Sequence, residues 1–152
     1  MELKIVRAYL DTNVFHFGLH KKSNSALILG SLELGSFIPI ISSHTILEIR
    51  KWYEKIYGRQ KSLDVCFYIQ SLPGVEIVTF EQIKSMIKKY KDQINKKDLP
   101  HLCAALISNP DYFITTNRHF LKKEFDTRVK FIAPKEFVVD VLNLRKYYEI
   151  EE

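Results

Sequence analysis

The chain has 152 residues, is 46% hydrophobic and 12% aromatic, and carries a formal net charge of +5 at pH 7. This composition predicts one folded domain over residues 1–152 and excludes disordered, collagen-like and low-complexity classes. No apolar run is long enough for a membrane helix and the first residues do not form a secretory signal, so we expect a cytoplasmic protein without a membrane partner. Cys66 and Cys103 lie far apart in apolar segments and are expected to be buried and reduced.

The positive charge is concentrated in one stretch of the chain. Residues 84–97 contain six lysines and a single acid, Asp92, which accounts for the whole excess of +5. Such a run is typical of a solvated helix face, and it also fits a patch that contacts phosphates. The sequence leaves these two interpretations open.

The first half of the chain alternates between extended and helical patterns. Residues 4–10 predict a buried strand, which Asp11, Thr12 and Asn13 end in a turn. The elements predicted next are a helix from Ser23 to Gly35, a strand over 37–41, a helix from Ser42 or Ser43 to about Tyr57, and a helix from about Ser62 to Ser71. Pro39 is unusual for a central strand, because it lacks a backbone donor.

The second half continues the alternation. The predicted elements are a strand over 75–79, a lysine-rich helix to about Ile94, a helix that Asp98 opens and that ends before Asn109, strands over 111–115 and 129–132, and a helix from Pro134. Alternating strands and helices predict an α/β fold with a largely parallel five-stranded sheet covered on both faces. Ligands bind such sheets beyond the carboxyl ends of the strands, so we expect chemistry near Asp11, Ser42–Glu48 and Thr115–Asn117.

Two acids follow the first two strands. Asp11 comes directly after the first, where it is either a turn residue or a functional carboxylate. Glu48 lies beside Trp52 at the border of the apolar helix face, so it either snorkels to solvent or points into a cleft. His44 precedes Glu48 by four residues, so a ligand pair is conceivable, although an exposed histidine is the simpler interpretation.

Polar residues also accompany the later elements. Asp98 lies within the apolar arc of its predicted helix, where a carboxylate is costly unless it is paired or bound to a metal. The same residue fits a helix N-cap before Leu99 and Pro100, and the sequence does not decide between these interpretations. Asn117 ends the fourth strand, at the edge of the sheet that carries Asp11.

Several carboxylates in one cleft repel each other and require a cation. Oxygen-only ligand sets favour Mg²⁺ or Mn²⁺ over zinc. A basic rim around such a site suits phosphodiester chemistry, because cations hold the phosphates while the metal activates water.

Four segments in order resemble a PIN domain: LDTNVF at 10–15, SSHTILEIRKW with Glu48, DLPHLCAALISNPDYFITTNRHF at 98–120, and VKFIAPKEFV at 129–138. The resemblance spans nearly the whole chain, and the order and spacing of the segments are its most specific feature. It implies a three-layer α/β/α sandwich around a parallel sheet. Many PIN domains are Mg²⁺- or Mn²⁺-dependent ribonucleases, including the VapC-type toxins of toxin–antitoxin pairs.

The resemblance assigns the acidic cluster of the family to Asp11, Glu48 and Asp98, which would hold Mg²⁺ or Mn²⁺. The fourth acid position falls on Asn117, which brings no charge and so weakens the expected metal affinity. Asn13, Thr115 and Thr116 match small polar residues that orient the site. His119 stands where many relatives carry another acid.

The implied substrate is RNA, cleaved by a metal-activated water. Four basic residues next to the acids in sequence are expected to contact phosphates: Lys96, Lys97, Arg118 and His119. Other acid-plus-metal folds fit less well, since the chain has no P-loop motif, no Asp-x-Asp after the first strand and no Asp directly after the third.

The resemblance also implies protein partners, an antitoxin and a second copy in a homodimer. Seven aromatic and apolar residues can supply such a surface or pack in the core: Trp52, Tyr53, Tyr57, Phe137, Leu142, Tyr147 and Tyr148. The alternative to a nuclease is a PIN fold without activity that binds RNA or protein. Asn117 and His119 favour this alternative, and the three retained acids oppose it.

Overall fold

The structure is a computed structural model that describes residues 4–144. Within this range five strands form one sheet in the order β3-β2-β1-β4-β5, with every neighbouring pair parallel. The strands are β1 (Arg7–Leu10), β2 (Ile38–Ser42), β3 (Glu76–Val78), β4 (Tyr112–Ile114) and β5 (Lys130–Ile132). The predicted α/β fold with a five-stranded parallel sheet is therefore confirmed.

Helices connect the strands. They are α1 (Thr12–His20), α2 (Asn24–Glu33), α3 (Ser43–Tyr57), α4 (Arg59–Gln70), α5 (Phe80–Tyr90), α6 (Leu99–Ser108), α7 (Arg118–Leu121) and α8 (Pro134–Glu136). A π-helical turn, Phe137–Val141, continues α8. None of the helices in the described range is both long and apolar enough to cross a membrane.

The two faces of the sheet bury separate hydrophobic clusters, which makes the fold three layers thick. Ala8 and Leu10 of β1 point into the cluster formed with α1 to α4 and the C-terminal turns. Tyr9 between them points into the opposite cluster, formed with α5, α6 and α7. This alternation follows from the two-residue period of a strand.

The strand order creates a switch point between β1 and β4. From β1 the chain moves outward through β2 to β3, and it then crosses back to place β4 on the other side of β1. Ligand sites of parallel α/β sheets lie at such a point, beyond the carboxyl ends of the strands. Asp11 and Thr115 follow the two strands that meet there, β1 and β4.

The central position of Pro39 is compatible with the sheet. The neighbouring Ile38 donates its N–H to Val6 on the β1 side. Successive backbone groups alternate sides, so the nitrogen of Pro39 faces β3, whose pairing with β2 begins only at Ile40. No ladder hydrogen bond is lost there.

Two helices were not predicted. Residues 11–13 were expected to form only a turn, but Asp11 caps α1, whose Val14 and Phe15 are buried. α7 follows Asn117, which caps it in the same manner.

The lysine-rich helix ends at Tyr90 rather than Ile94. Cys66 and Cys103 are buried and unpaired, as expected.

Candidate active site

Asp11 is fixed at the switch point by both neighbouring strands and by α1. Its backbone N–H donates to the carbonyl of Ile114 (3.0 Å), so the β1–β4 ladder extends to this residue. Its Oδ1 accepts the N–H of Thr12 (2.8 Å), and its Oδ2 accepts the hydroxyl of Thr115 (2.6 Å). The residue is 5% exposed. The carboxylate is therefore held in one orientation at the sheet edge.

Glu48 points inward from α3 toward the same edge. Its Oε1 accepts the Thr12 hydroxyl (2.9 Å) and lies 2.6 Å from Nε2 of His101. Burial alone would raise the pKa of Glu48, but the contacts with His101 and Thr12, together with His44, hold this pKa below its ordinary value. Glu48 is therefore ionised at neutral pH.

His101 is central to the site, and the sequence did not single it out. The residue is 2% exposed, and its Nε2 lies 3.7 Å from Oδ1 of Asp11 as well as beside Glu48. Its Nδ1 lies 2.7 Å from the Tyr9 hydroxyl. Burial would lower the pKa of His101, but Tyr9, Glu48 and Asp11 raise it well above the ordinary value. The available signal was the three-residue spacing from Asp98, which places both residues on one side of α6.

Asp98 occupies the N-cap position of α6 without capping it, which decides between the two interpretations of this residue. Its side chain makes no capping hydrogen bond. Instead Oδ2 accepts from Nδ2 of Asn95 (2.7 Å) and lies 3.0 Å from Nδ1 of His119. Burial would raise the pKa of Asp98, but hydrogen bonds from His119, Asn95 and Asn117 lower it. Asp98 is thus a buried, ionised carboxylate, 8% exposed.

Asn117 caps α7 rather than offering an unengaged carbonyl. Its Oδ1 accepts the N–H of His119 (2.9 Å), and its side chain contributes to lowering the pKa of Asp98. Its own backbone N–H donates to the hydroxyl of Thr115 (2.9 Å). Thr115 therefore bridges Asp11 and Asn117.

The other two polar residues expected to orient the site lie around it. Asn13 is in the first turn of α1 and lines a pocket with His16 and Trp52. Thr116 lines a different pocket, beside Arg118. The orienting contacts on Asp11 come from Thr12 and Thr115 instead.

The three acids are connected through shared neighbours. Asp11 is joined to Glu48 through Thr12 and His101. On the other side Thr115 joins Asp11 to Asn117, whose side chain lowers the pKa of Asp98. Within residues 4–144 the oxygens of Asp11, Glu48 and Asp98 do not all lie within 4.8 Å of one another. Carboxylate oxygens are the ligands that Mg²⁺ and Mn²⁺ prefer, so the chemistry of the three side chains suits a hard divalent ion.

A basic surface adjoins Asp98. Arg118 and His119 line a pocket of about 440 Å³ together with Lys122 and Lys123. Lys96 and Lys97 are exposed in the turn that leads into Asp98. His119 is tied to Asp98 by its Nδ1, so it orients this acid in addition to facing the pocket.

His44 and the aromatic residues differ partly from expectation. His44 is half-buried rather than exposed, with its Nε2 3.4 Å from Oε1 of Glu48. Tyr53 and Phe137 are buried in the core, and Tyr57 is half-exposed. The rest of the aromatic and apolar group is distributed as follows: Trp52 and Leu142 pack partly buried against the core, and Tyr147 and Tyr148 lie outside the described residues.

No protein-family model and no curated protein matches the chain. Solved structures do match it. VapBC-1 of nontypeable Haemophilus influenzae has a TM-score of 0.60 at 21% identity, over 85% of this chain and 98% of the other. VapBC2 of Rickettsia felis, solved bound to a DNA fragment from their promoter, has a TM-score of 0.59 at 17% identity, over 84% and 98%.

A third structure is described as a sarcin-ricin loop cleaving toxin, VapC20 of Mycobacterium tuberculosis. It has a TM-score of 0.51 at 10% identity, over 70% of this chain and 86% of the other. These likenesses show the fold: the chain has a PIN-like fold, as the sequence resemblance implied.

Proposed function

We propose that this protein is a ribonuclease that depends on Mg²⁺ or Mn²⁺ and acts as the toxin of a toxin–antitoxin pair. The observation that carries the proposal is the set of buried or half-buried carboxylates, Asp11, Glu48 and Asp98, around the switch point of a PIN-like fold. Glu48 and Asp98 have lowered pKa values, so both are charged and ready to bind a cation.

In this proposal the three acids bind the metal, and neighbouring residues orient the acids through hydrogen bonds. Thr115 and Thr12 orient Asp11, while Asn117 and His119 orient Asp98. A bound ion would supply an activated water and stabilise the charge on the leaving oxygen. Because the oxygens of the three acids do not all lie within 4.8 Å of one another, an ion bound by all three would draw these side chains together.

The basic surface beside Asp98 is proposed to position the RNA backbone. Arg118, Lys122 and Lys123 line its pocket, and Lys96 and Lys97 lie on the turn that enters the site. Phosphate contacts of this kind position a nucleic acid without reading its sequence. The cleavage site on the RNA would therefore be selected by other contacts or by the shape of the RNA.

The toxin role and the antitoxin partner are supported by the structural neighbours. Besides the structures above, they include a toxin–antitoxin complex from Klebsiella pneumoniae and FitAB bound to an IR36 DNA fragment. We propose that this chain likewise binds a small antitoxin protein and forms a homodimer. It would act in the cytoplasm, where its RNA substrate would lie.

One observation favours the alternative of an inactive binding module. The carbonyl of Asn117 already caps α7, so the fourth family position adds neither charge nor a spare oxygen to a metal site. The lowered pKa values of Glu48 and Asp98 favour the nuclease instead, since an inactive relative has no need of ionised buried acids.

The test is cleavage of total RNA by the purified protein in Mn²⁺ or Mg²⁺, beside Asp98→Asn. We expect metal-dependent cleavage by the wild type and none by the variant, because the amide removes a charge from the metal set. Asp64→Asn, on an exposed side chain of α4, is the matched control and should cleave like the wild type. Cleavage by Asp98→Asn at the wild-type rate would refute the assigned site.

A further inference from the structure

A second set of ligand atoms lies beside the carboxylates and differs from them in chemistry. Among residues 4–144, His44, Glu48 and His101 each offer one metal-ligand atom, and these atoms lie within 4.8 Å of one another. His44 and Glu48 are four residues apart on α3, which places both side chains on one face of the helix. His101 reaches the same point from α6.

The contacts of His101 give each ring nitrogen a separate partner. Nδ1 lies 2.7 Å from the Tyr9 hydroxyl, which can donate to Ser42 (3.0 Å) and so can accept a proton from Nδ1. Nε2 lies 2.6 Å from Oε1 of Glu48. A proton lies between Nε2 and Oε1 when no metal is bound, and a bound ion would replace it.

The arrangement around His101 is the one that orients metal-binding histidines. Such residues donate one ring N–H to a fixed partner, which sets the tautomer and leaves the other nitrogen for the metal. Tyr9 is a fixed partner, since it is fully buried and also contacts Thr45 (3.3 Å). His44 and Glu48 have side chains 23% and 28% exposed, which leaves a path for an ion from solvent.

We propose that His44, Glu48 and His101 form a binding site for a transition-metal ion of the Zn²⁺ class. Two imidazole nitrogens and one carboxylate oxygen are a ligand set for tetrahedral zinc with a fourth position left for water. The ion displaces the proton between Nε2 and Oε1 to solvent. Because this ligand set contains nitrogen, it selects ions that the oxygen-only set of Asp11 and Asp98 does not prefer.

Glu48 belongs to both ligand sets, so the two sets compete for its carboxylate. Zinc bound by His44 and His101 withdraws Glu48 from Asp11 and Asp98. If the proposed nuclease function holds, zinc therefore opposes the Mg²⁺- or Mn²⁺-loaded state. This consequence rests on the proposed function, whereas zinc binding itself does not.

Calorimetric titration of the full chain with Zn²⁺ and, separately, with Mn²⁺ tests the site. His44→Ala should weaken Zn²⁺ binding at least tenfold, and Tyr9→Phe, which keeps the ring but not the hydroxyl, should weaken it by about 10–100-fold. His20→Ala removes a histidine of α1 outside the cluster and should leave Zn²⁺ affinity unchanged. Asp98→Asn should weaken Mn²⁺ binding and retain Zn²⁺ binding.

Three results would overturn the site: no Zn²⁺ binding by the wild type, unchanged binding by His44→Ala, or an equal loss in His20→Ala. If the wild type bound Zn²⁺ but not Mn²⁺, the result would count against the proposed nuclease and leave the zinc site standing. Circular dichroism checks that each variant folds. Co²⁺ replaces Zn²⁺ in the wild type as a probe that needs no variant, and the absence of a tetrahedral Co²⁺ absorption spectrum would also contradict the proposal.

Discussion

Asp11 has two structural roles at once, and both follow from its place after β1. Its Oδ1 caps α1 through the N–H of Thr12, and its Oδ2 receives the hydroxyl of Thr115 from the end of β4. The same carboxylate thus starts a helix and joins two strands. Its orientation is set by the fold itself, which suits its proposed role as a metal ligand.

Asn117→Asp should raise Mn²⁺ affinity by about tenfold, since the added charge contributes roughly 1.4 kcal/mol of attraction to the cation. Aspartate is as good a helix cap as asparagine, so α7 is retained. Calorimetric titration with Mn²⁺ measures the change. Asn109→Asp adds the same charge at the end of α6 and should leave the affinity unchanged. Equal affinities in the wild type and Asn117→Asp would place residue 117 outside the metal site.

The sequence could predict the acids of the site but not the residues that hold them. Asp11 and Asn117 are found by locating the ends of two strands, because parallel strands end at one edge. His101 is different, since a histidine in the apolar arc of a helix looks like any core residue. Its role depends on Tyr9 and Glu48, which are 92 and 53 residues away in sequence.

The packing of α1 on α2 depends on one glycine. A Cβ on Gly18 would lie 2.5 Å from Cδ1 of Leu29 and 3.0 Å from the carbonyl of Ser25. Leu29 is itself buried in the core, so it has little room to move. This close approach of α1 to α2 requires glycine at position 18. The helix forms despite the weak helix propensity of glycine, because burial of its apolar side chains compensates.

Gly18→Ala and Gly30→Ala should change stability in opposite directions. Gly18→Ala is expected to lower the free energy of unfolding by about 1–3 kcal/mol through overpacking. Gly30 lies on the exposed side of α2 with nothing within 4 Å of an added Cβ. Gly30→Ala should therefore raise the free energy of unfolding by up to about 1 kcal/mol through helix propensity. Urea denaturation measures both, and changes of the same sign would contradict this account of the interface.

Asp111 connects the starts of β1 and β4, at the end of the sheet opposite the candidate site. Its lowered pKa gives a prediction for acid stability. Its side chain accepts from Lys4 (2.7 Å) and from the backbone N–H of Arg7 (3.0 Å). Burial would raise the pKa of Asp111, but these contacts and Arg128 lower it from the ordinary 3.8. A lowered carboxyl pKa adds stability above the unfolded value, and this stability is lost as pH falls through the folded value.

Asp111→Asn should therefore lower the free energy of unfolding by about 1 kcal/mol at pH 7, because a charged acceptor is replaced by a neutral one. The difference from the wild type should shrink as pH falls below about 4. Urea denaturation at a series of pH values measures it. A difference that stays constant down to pH 3 would show that the charge of Asp111 contributes nothing.

At the level of elements, the sequence predicted all five strands and most helices, with boundaries shifted by a few residues. α1 escaped because Asp11, Thr12 and Asn13 are typical of a turn, although Val14, Phe15 and Leu19 lie on one side of the helix and His16 and His20 on the other. The helix is also stabilised by the cap of Asp11 and by contacts with α2, and neither is visible in local periodicity. α7 is a single turn, too short for any periodic signal.

Over the whole molecule the positive charge is unevenly distributed. All six lysines of residues 84–97 are exposed, so α5 presents the solvated face that the sequence allowed. The last two, Lys96 and Lys97, lie on the turn into the site, next to Asp98. This continuity connects the basic face of α5 with the acidic cluster.

Replacing Lys96 and Lys97 by alanine should weaken RNA binding and flatten its salt dependence. Each phosphate contact on a single strand contributes about 0.7 to the slope of log affinity against log salt, so the slope should fall by up to about 1.4. Fluorescence anisotropy in a salt series measures it, in EDTA to prevent cleavage. Lys130→Ala, at the start of β5, is the control at the opposite edge. An unchanged slope in the double variant would leave both lysines as solvated surface.

The most direct measurement is cleavage of RNA by the purified protein in EDTA and after addition of Mn²⁺, beside Asp11→Asn. Asparagine keeps an oxygen for the cap of α1, so this variant should remain folded. The account predicts intact RNA in EDTA, cleavage by the wild type once Mn²⁺ is added, and none by Asp11→Asn. Cleavage that persists in EDTA, or that Asp11→Asn retains in full, would contradict it.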